Sequence, residues 1–147
     1  MTLLLTWLLG FGLMGALVVL HHEGLAFLRR RWFERTAKAH RDRMVLAVLA
    51  LLALHVVEAM IYGLGMMAAD RLVGAGMLET PGAARATAAD YLYFSTSTYT
   101  SLGLGDLVPT GHMRLLAGLE ALLGLILIGW SASFLFVEVR TATDAPR

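Results

Sequence analysis

Residues 95–106 read Ser95-Thr96-Ser97-Thr98-Tyr99-Thr100-Ser101-Leu102-Gly103-Leu104-Gly105-Asp106, with Leu107, Val108 and Pro109 directly after. An unbroken run of hydroxyl side chains leads into Gly-x-Gly-Asp. The stretch is too polar for a lipid-facing helix and too short for a soluble domain. Its reading therefore depends on what surrounds it.

The surroundings are apolar. Of 147 residues, 58% are hydrophobic, and the mean hydropathy is +0.69. This composition excludes an ordinary soluble domain. There is no cysteine, so neither a disulfide framework nor a thiolate metal site can form. The net charge of +1 is uninformative until it is placed along the chain.

Crossing a bilayer takes roughly 20 helical residues. Residues 1–20 carry no charge, residues 44–69 only Glu58, and residues 115–137 only Glu120. These predict three membrane-spanning helices. The first lacks a basic leading region and a small-x-small cleavage site before His21, so a retained anchor is expected rather than a removed signal.

Charge asymmetry then sets orientation. Residues 21–43 hold Arg29, Arg30, Arg31, Arg35, Lys38, Arg41 and Arg43, whereas the longer 70–114 connection holds only Arg71, Arg85 and Arg114. The basic connection is expected in the cytoplasm. The N-terminus and residues 70–114 then lie outside, and the C-terminus inside, in the cell membrane. The hydroxyl-rich stretch enters from the outer side.

Within the basic connection, Leu25, Leu28 and Trp32 recur at helical spacing. One reading is an interfacial amphipathic helix with Trp32 and Phe33 at headgroup level and Arg29, Arg30, Arg31 and Arg35 facing anionic lipid. The other is a positively charged loop that only enforces topology. Pro81-Gly82 and several alanines suggest a loose turret over 70–87. Thr87-Ala88-Ala89-Asp90 matches a capping box and predicts a helix over 88–100. Inside a membrane its hydroxyls can bond back to helix carbonyls, and its C-terminal end presents partial negative charge to a cation below.

Taken with the flanking spans and the orientation, residues 95–106 resemble the pore helix and selectivity filter of the potassium-channel superfamily. The signature there is Thr-x-Gly-Tyr-Gly-Asp or a close variant. The resemblance covers residues 44–138 and suggests a small bacterial-type pore domain of the two-transmembrane ion channel family, preceded by an extra N-terminal helix (1–20). It implies an all-α membrane fold with outer helix 44–69, turret 70–87, pore helix 88–100, filter 101–106, inner helix 112–138 and a short tail 139–147. It also implies four copies around one axis.

In such a filter, backbone carbonyls replace the water of a dehydrated cation. Carbonyls on successive residues face one axis only if left-handed dihedrals alternate with ordinary ones, which Gly103 and Gly105 adopt without steric cost. The resemblance assigns Thr100, Ser101, Leu102, Gly103, Leu104 and Gly105 to ion binding, with a hydroxyl from Ser101 at the innermost site. Leu102 and Leu104 point into the wall, and Asp106 sits at the outer mouth. Tyr93 and Phe94 take the place of two bracing aromatics. Leu119-Glu120-Ala121-Leu122-Leu123-Gly124 is similar to a Leu-Glu-x-x-x-Gly pattern, in which the glutamate bonds behind the pore helix and Gly124 lets the inner helix bend. Phe134 and Phe136 approach the inner constriction or simply pack. K+ is the implied permeant ion, with no other metal and no cofactor.

Departures are visible. Ser101 replaces threonine, Leu102 a valine or isoleucine, and Leu104 the tyrosine that normally packs in an aromatic cuff. Ser97 stands where some bacterial channels place a glutamate that pairs with the filter aspartate, so Tyr93 is the candidate to hold Asp106 instead. These changes keep the carbonyl scaffold and weaken its outer brace.

Two carboxyls lie at membrane depth, where they are costly and usually face protein or water. His55 and Glu58 share a helix face. With Glu120, Ser95, Thr96 and Ser97 at a similar level, they form either one shared polar network or singly satisfied groups.

The chain is thus expected to be a tetrameric cation channel, potassium-selective, and not an enzyme. A weakly selective channel and a non-conducting membrane subunit are the alternatives. Gly-x-Gly-Asp also marks intramembrane aspartyl proteases, but those need a second aspartate at membrane depth. Asp42, Asp70, Asp90 and Asp144 all flank the spans, and Pro109 argues against continuous helix after Asp106. Residues 138–147 are few enough that no nucleotide- or calcium-sensing domain is expected there, and no span carries arginine at every third position as a voltage sensor does. The gating stimulus is left open among lipid, tension, pH through the histidines, and none.

Overall fold

The computed structural model describes residues 1–33, 40–80, 82 and 85–143. Helices dominate the order: α1 (Thr2–Leu28), α2 (His40–Ala68), α3 (Ala88–Tyr99) and α4 (Met113–Thr143), with strands β1 (Leu78–Glu79) and β2 (Val108–Pro109). A π turn over Arg29–Phe33 continues α1, and another over Ala69–Val73 continues α2. Three helical segments are long and apolar enough to cross a membrane: Thr2–Arg31, Asp42–Val73 and Met113–Arg140. The protein is an all-α membrane protein with three such spans.

The first helix runs further than its hydropathy suggests. The boundary set at Leu20 falls inside α1, which passes through His21, His22 and Glu23 without a break. The reason is burial: Leu17, His21, Leu25 and Leu28 form one inward stripe, so His21 is an interior residue and not the start of a loop. Arg29, Arg30 and Arg31 sit on its helical continuation rather than on a separate interfacial helix. Arg35 and Lys38 in the basic connection, Pro81 in the turret, the last tail residues and the expected headgroup placement of the Trp32 and Phe33 side chains lie outside what is described.

The short helix α3 is wedged between α2 and α4, and α1 packs along α4. The core joining all four elements includes Leu17, Tyr62, Met66, Tyr91, Tyr99, Met113, Leu116, Leu123 and Leu127. Lipid tails are as apolar as leucine, so this packing is held by close van der Waals fit and internal hydrogen bonds rather than by a hydrophobic drive. One such bond runs from the buried Tyr62 hydroxyl to the Leu116 carbonyl, at 3.0 Å. A second cluster of Leu25, Leu28, Leu51 and Phe134 closes the far end.

Outside the spans, β1 pairs antiparallel with β2, Leu78 opposite Pro109 and Glu79 opposite Val108. Thr110 N–H donates to Met77 O at 2.9 Å, and Met113 N–H to Ala75 O at 2.9 Å. The turret is therefore fastened to the chain leaving residue 106.

Candidate functional site

The N-terminus of α3 is fixed by local chemistry. The Thr87 hydroxyl accepts from Asp90 N–H, and the Asp90 carboxylate accepts from Thr87 N–H at 2.7 Å. These bonds from the Thr87 backbone and side chain hold the Asp90 carboxyl below its ordinary value. Tyr91 donates to Asp70 at 2.9 Å, and burial together with that bond pushes its phenol up to about 12.

At the other end the helix stops in a Schellman arrangement. Thr100 is the C-cap, Ser101 N–H donates to Thr98 O at 2.9 Å, and Leu102 N–H donates to Ser97 O at 2.9 Å. This turn needs a left-handed residue, and Ser101 supplies it at φ 58°. A non-glycine residue there costs about 1–2 kcal/mol. Gly103 at φ 54° and Gly105 at φ 81° repeat the left-handed turn. Alternation thus spans 101, 103 and 105, one position further than the glycines alone indicate. Residues 101–106 are all exposed, with Leu102 at 63% and Leu104 at 61%.

The surroundings of this stretch are specific. Tyr93 donates its hydroxyl to Asp106 Oδ2 at 2.9 Å, and that bond holds the Tyr93 phenol above its ordinary value. A hollow of about 260 Å³ lies between α3 and the stretch, lined by residues including Tyr93, Phe94, Ser97, Leu104 and Asp106. On the inner side, α4 approaches so closely at Gly124 that a Cβ there would lie 2.0 Å from the Tyr99 carbonyl oxygen. The α4 helix is continuous through Gly124, whose missing side chain makes room for the end of α3.

The intramembrane polar residues fall into two groups. Ser95 bonds to the Glu120 carboxyl and, at 2.5 Å, to the Ala59 carbonyl. Separately, Glu58 receives His21 Nδ1 at 2.9 Å, Tyr99 OH at 2.6 Å and His55 Nδ1 at 3.2 Å. His55 Nδ1 also lies 2.8 Å from Tyr99 OH, and its Nε2 lies 3.0 Å from Ser131 Oγ, which is 3.4 Å from His21 Nε2. Among the described residues no hydrogen bond joins the Glu58 and Glu120 groups. Thr96 bonds back to Leu92 O instead. His55 and Glu58 do meet as their spacing suggests, and Glu120 does reach behind α3. His21, Tyr99 and Ser131 were not read as members of this group. One ligand atom from each of His21, His55 and Glu58 lies within 4.8 Å of the others, the kind of set that can hold a metal ion.

The two phenylalanines of α4 part company. Phe134 is buried among Leu25, Leu28 and Leu51, beneath the Arg29 guanidinium at 5.6 Å. It is a packing residue between α1 and α2. Phe136 is 62% exposed on another face. Arg29 also donates to Glu138 at 2.9 Å, tying α1 to α4 at this end.

Searches of curated proteins and of solved structures return no match to this chain. A family model described as "Ion channel" matches residues 45–140. That match spans most of α2, the turret, α3, the 101–106 stretch and nearly all of α4, so the chain is a multi-pass membrane protein that belongs to this ion channel family.

Proposed function

We propose that the chain is the subunit of a homotetrameric, potassium-selective channel whose filter is the backbone of Thr100 to Gly105. The observation that carries this is the state of residues 101–106: non-helical, exposed, and left-handed at every second residue. The inner end of this stretch follows Tyr99, which touches Glu58 and Gly124 within the two spans. Exposed irregular backbone at membrane depth is tolerated only where protein or water covers it. Further copies around an axis supply both, with carbonyls directed at a shared ion path.

In this reading Asp106, held by Tyr93, gathers cations at the outer mouth. Phe94, Ser97, His55, Glu58 and Glu120 support the scaffold, and Phe136 is the candidate for any inner constriction. The arginine distribution puts the N-terminus and turret outside a cell membrane and the α4 end in the cytoplasm. There Arg29 and Arg30 border a groove of about 350 Å³ with His22, Trp130 and Phe134, suited to an anionic lipid headgroup.

A weakly selective cation channel is the second reading. The hollow behind the stretch favours it, because Leu104 stands where the resembling channels carry a packed tyrosine ring.

The test is potassium flux from liposomes holding the full chain, together with the mass of the detergent-solubilised complex. Flux that barium blocks and Gly103→Asp abolishes, from a four-copy complex, supports the proposal. A monomer, or no flux at all, contradicts it.

A further inference from the structure

His21 lies outside the residues matched to the channel family, yet it is fully buried beside His55 and Glu58, which lie within them. His21 Nδ1 is 2.9 Å from Glu58 Oε1, and His55 Nδ1 is 3.2 Å from Glu58 Oε2. One donor atom from each of the three side chains lies within 4.8 Å of the others. Around a tetrahedral Zn2+ with bonds of about 2.0–2.2 Å, neighbouring ligand atoms sit about 3.3 Å apart. The contacts at 2.9 and 3.2 Å are already close to that spacing.

The donor set selects the class of ion. Imidazole suits Zn2+ and its first-row neighbours, whereas Mg2+ and Ca2+ take oxygen ligands. Two imidazoles and one carboxylate leave the fourth position of a Zn2+ to a water.

The surroundings separate an ion site from a plain hydrogen-bonded cluster. A ligating histidine binds metal through one nitrogen and donates the other N–H to a fixed partner. His55 Nε2 and His21 Nε2 both face the Ser131 hydroxyl, at 3.0 and 3.4 Å. With an ion on the two Nδ1 atoms, each neutral imidazole carries its proton on Nε2, and the two lone pairs of Ser131 Oγ receive both. Without an ion, neutral imidazoles that give their Nδ1 protons to Glu58 turn two lone pairs toward a hydroxyl with one proton. The carboxylate is held as a ligating carboxylate is, by a donor of its own: Tyr99 OH lies 2.6 Å from Glu58 Oε2. Trp130 covers His21 at 5.4 Å between ring centres. His55 keeps 17% of its side chain exposed, which gives an ion a way in.

We propose that His21, His55 and Glu58 bind a divalent transition-metal ion of the Zn2+ class. The two Nδ1 atoms and the Glu58 carboxylate are the ligands, and Ser131 and Tyr99 orient them. The ligands come from α1 and α2, and the orienting hydroxyls from α3 and α4. A bound ion therefore staples the N-terminal helix to the helices that the family match covers. The potassium-channel resemblance implies no metal besides the permeant ion, and this site draws on α1, which the match leaves out. The inference does not rest on the channel reading, and its readout is binding and not flux.

The experiment uses the full chain, purified in detergent without a histidine tag, stripped with a chelator and equilibrated with Zn2+. Bound metal is counted after free ion is removed, and affinity is measured by isothermal calorimetry. Wild type is expected to hold one Zn2+ per chain and to melt higher with Zn2+ than without, with no such shift in Mg2+ at the same concentration. His112→Gln, a histidine outside the site, is expected to bind as wild type does. His21→Gln is expected to bind roughly 100-fold more weakly, and Ser131→Ala, which leaves all three ligands in place, roughly tenfold more weakly. Should His21→Gln fail to fold, Ser131→Ala decides. A wild type that retains no Zn2+ overturns the proposal and leaves the three side chains to hydrogen bonding alone. So does a His21→Gln or Ser131→Ala chain that binds as tightly as wild type, which assigns any bound ion to a place elsewhere on the chain.

Discussion

The Tyr93 hydroxyl and Asp106 Oδ2 lie 2.9 Å apart, a hydrogen bond that ties α3 to the outer end of the 101–106 stretch. Ser97 carries no carboxyl to share this task, and among the described residues the phenol is what holds Asp106. Tyr93→Phe keeps the ring and removes the bond. Its expected effect is a potassium-over-sodium preference reduced by roughly a few-fold, with assembly unchanged. Reversal potentials of the two proteins in the same lipid check this, and identical values contradict it.

Gly124 lets α4 come close to the Tyr99 carbonyl at the end of α3. In Gly124→Ala the new methyl meets backbone rather than a flexible side chain, so one helix must shift. The cost is about 1–3 kcal/mol, enough to disturb the residues that follow Tyr99. Thermal unfolding of the purified complex should shift downward and flux should fall. A variant as stable and active as wild type would show that Gly124 serves only to let α4 bend.

The capping box gives a pH prediction with a definite sign. Asp90 is held below its ordinary value of 3.8 by the Thr87 bonds. Its contribution is complete above pH 3.8 and is lost as pH falls through the lower folded value. Asp90→Asn should therefore lower the melting temperature at neutral pH and converge on wild type in stronger acid. Parallel curves at every pH would remove the cap from the account of stability.

Ser95 has one proton and two close acceptors, the Ala59 carbonyl and the Glu120 carboxyl. The arrangement is satisfied when Glu120 holds a proton of its own. Glu120→Gln, with an amide donor in that place, should melt close to wild type, whereas Glu120→Ala should lose about 1–3 kcal/mol. Melting curves of the three proteins decide the matter. A Gln variant as damaged as the Ala variant would show that Glu120 works as a carboxylate.

Much of this architecture is legible in the sequence because its signals are local. Hydropathy marks the three spans, Thr87 and Asp90 mark the start of α3, and Gly103 and Gly105 mark the left-handed turns. What escapes is tertiary. His21 reads as the polar end of a span until its partner, Glu58, is seen across the bundle. Two clues were present: an intramembrane carboxyl needs a partner, and Leu17, His21, Leu25 and Leu28 share a helical stripe. Ser101 escapes because its left-handed φ comes from the Schellman turn and not from its own preference. The β1–β2 pair is too short to show any alternation, and Pro109 disguises it further. The sequence leaves Phe134 open between an inner constriction and ordinary packing, and only its burial against Leu25, Leu28 and Leu51 makes it a packing residue.

The most direct measurement is single-channel recording of the full chain in a planar bilayer with potassium on one side and sodium on the other. A backbone filter over Thr100–Gly105 predicts discrete currents that reverse near the potassium potential, are blocked by barium and vanish in Gly103→Asp. Currents that reverse near zero and survive Gly103→Asp would contradict it.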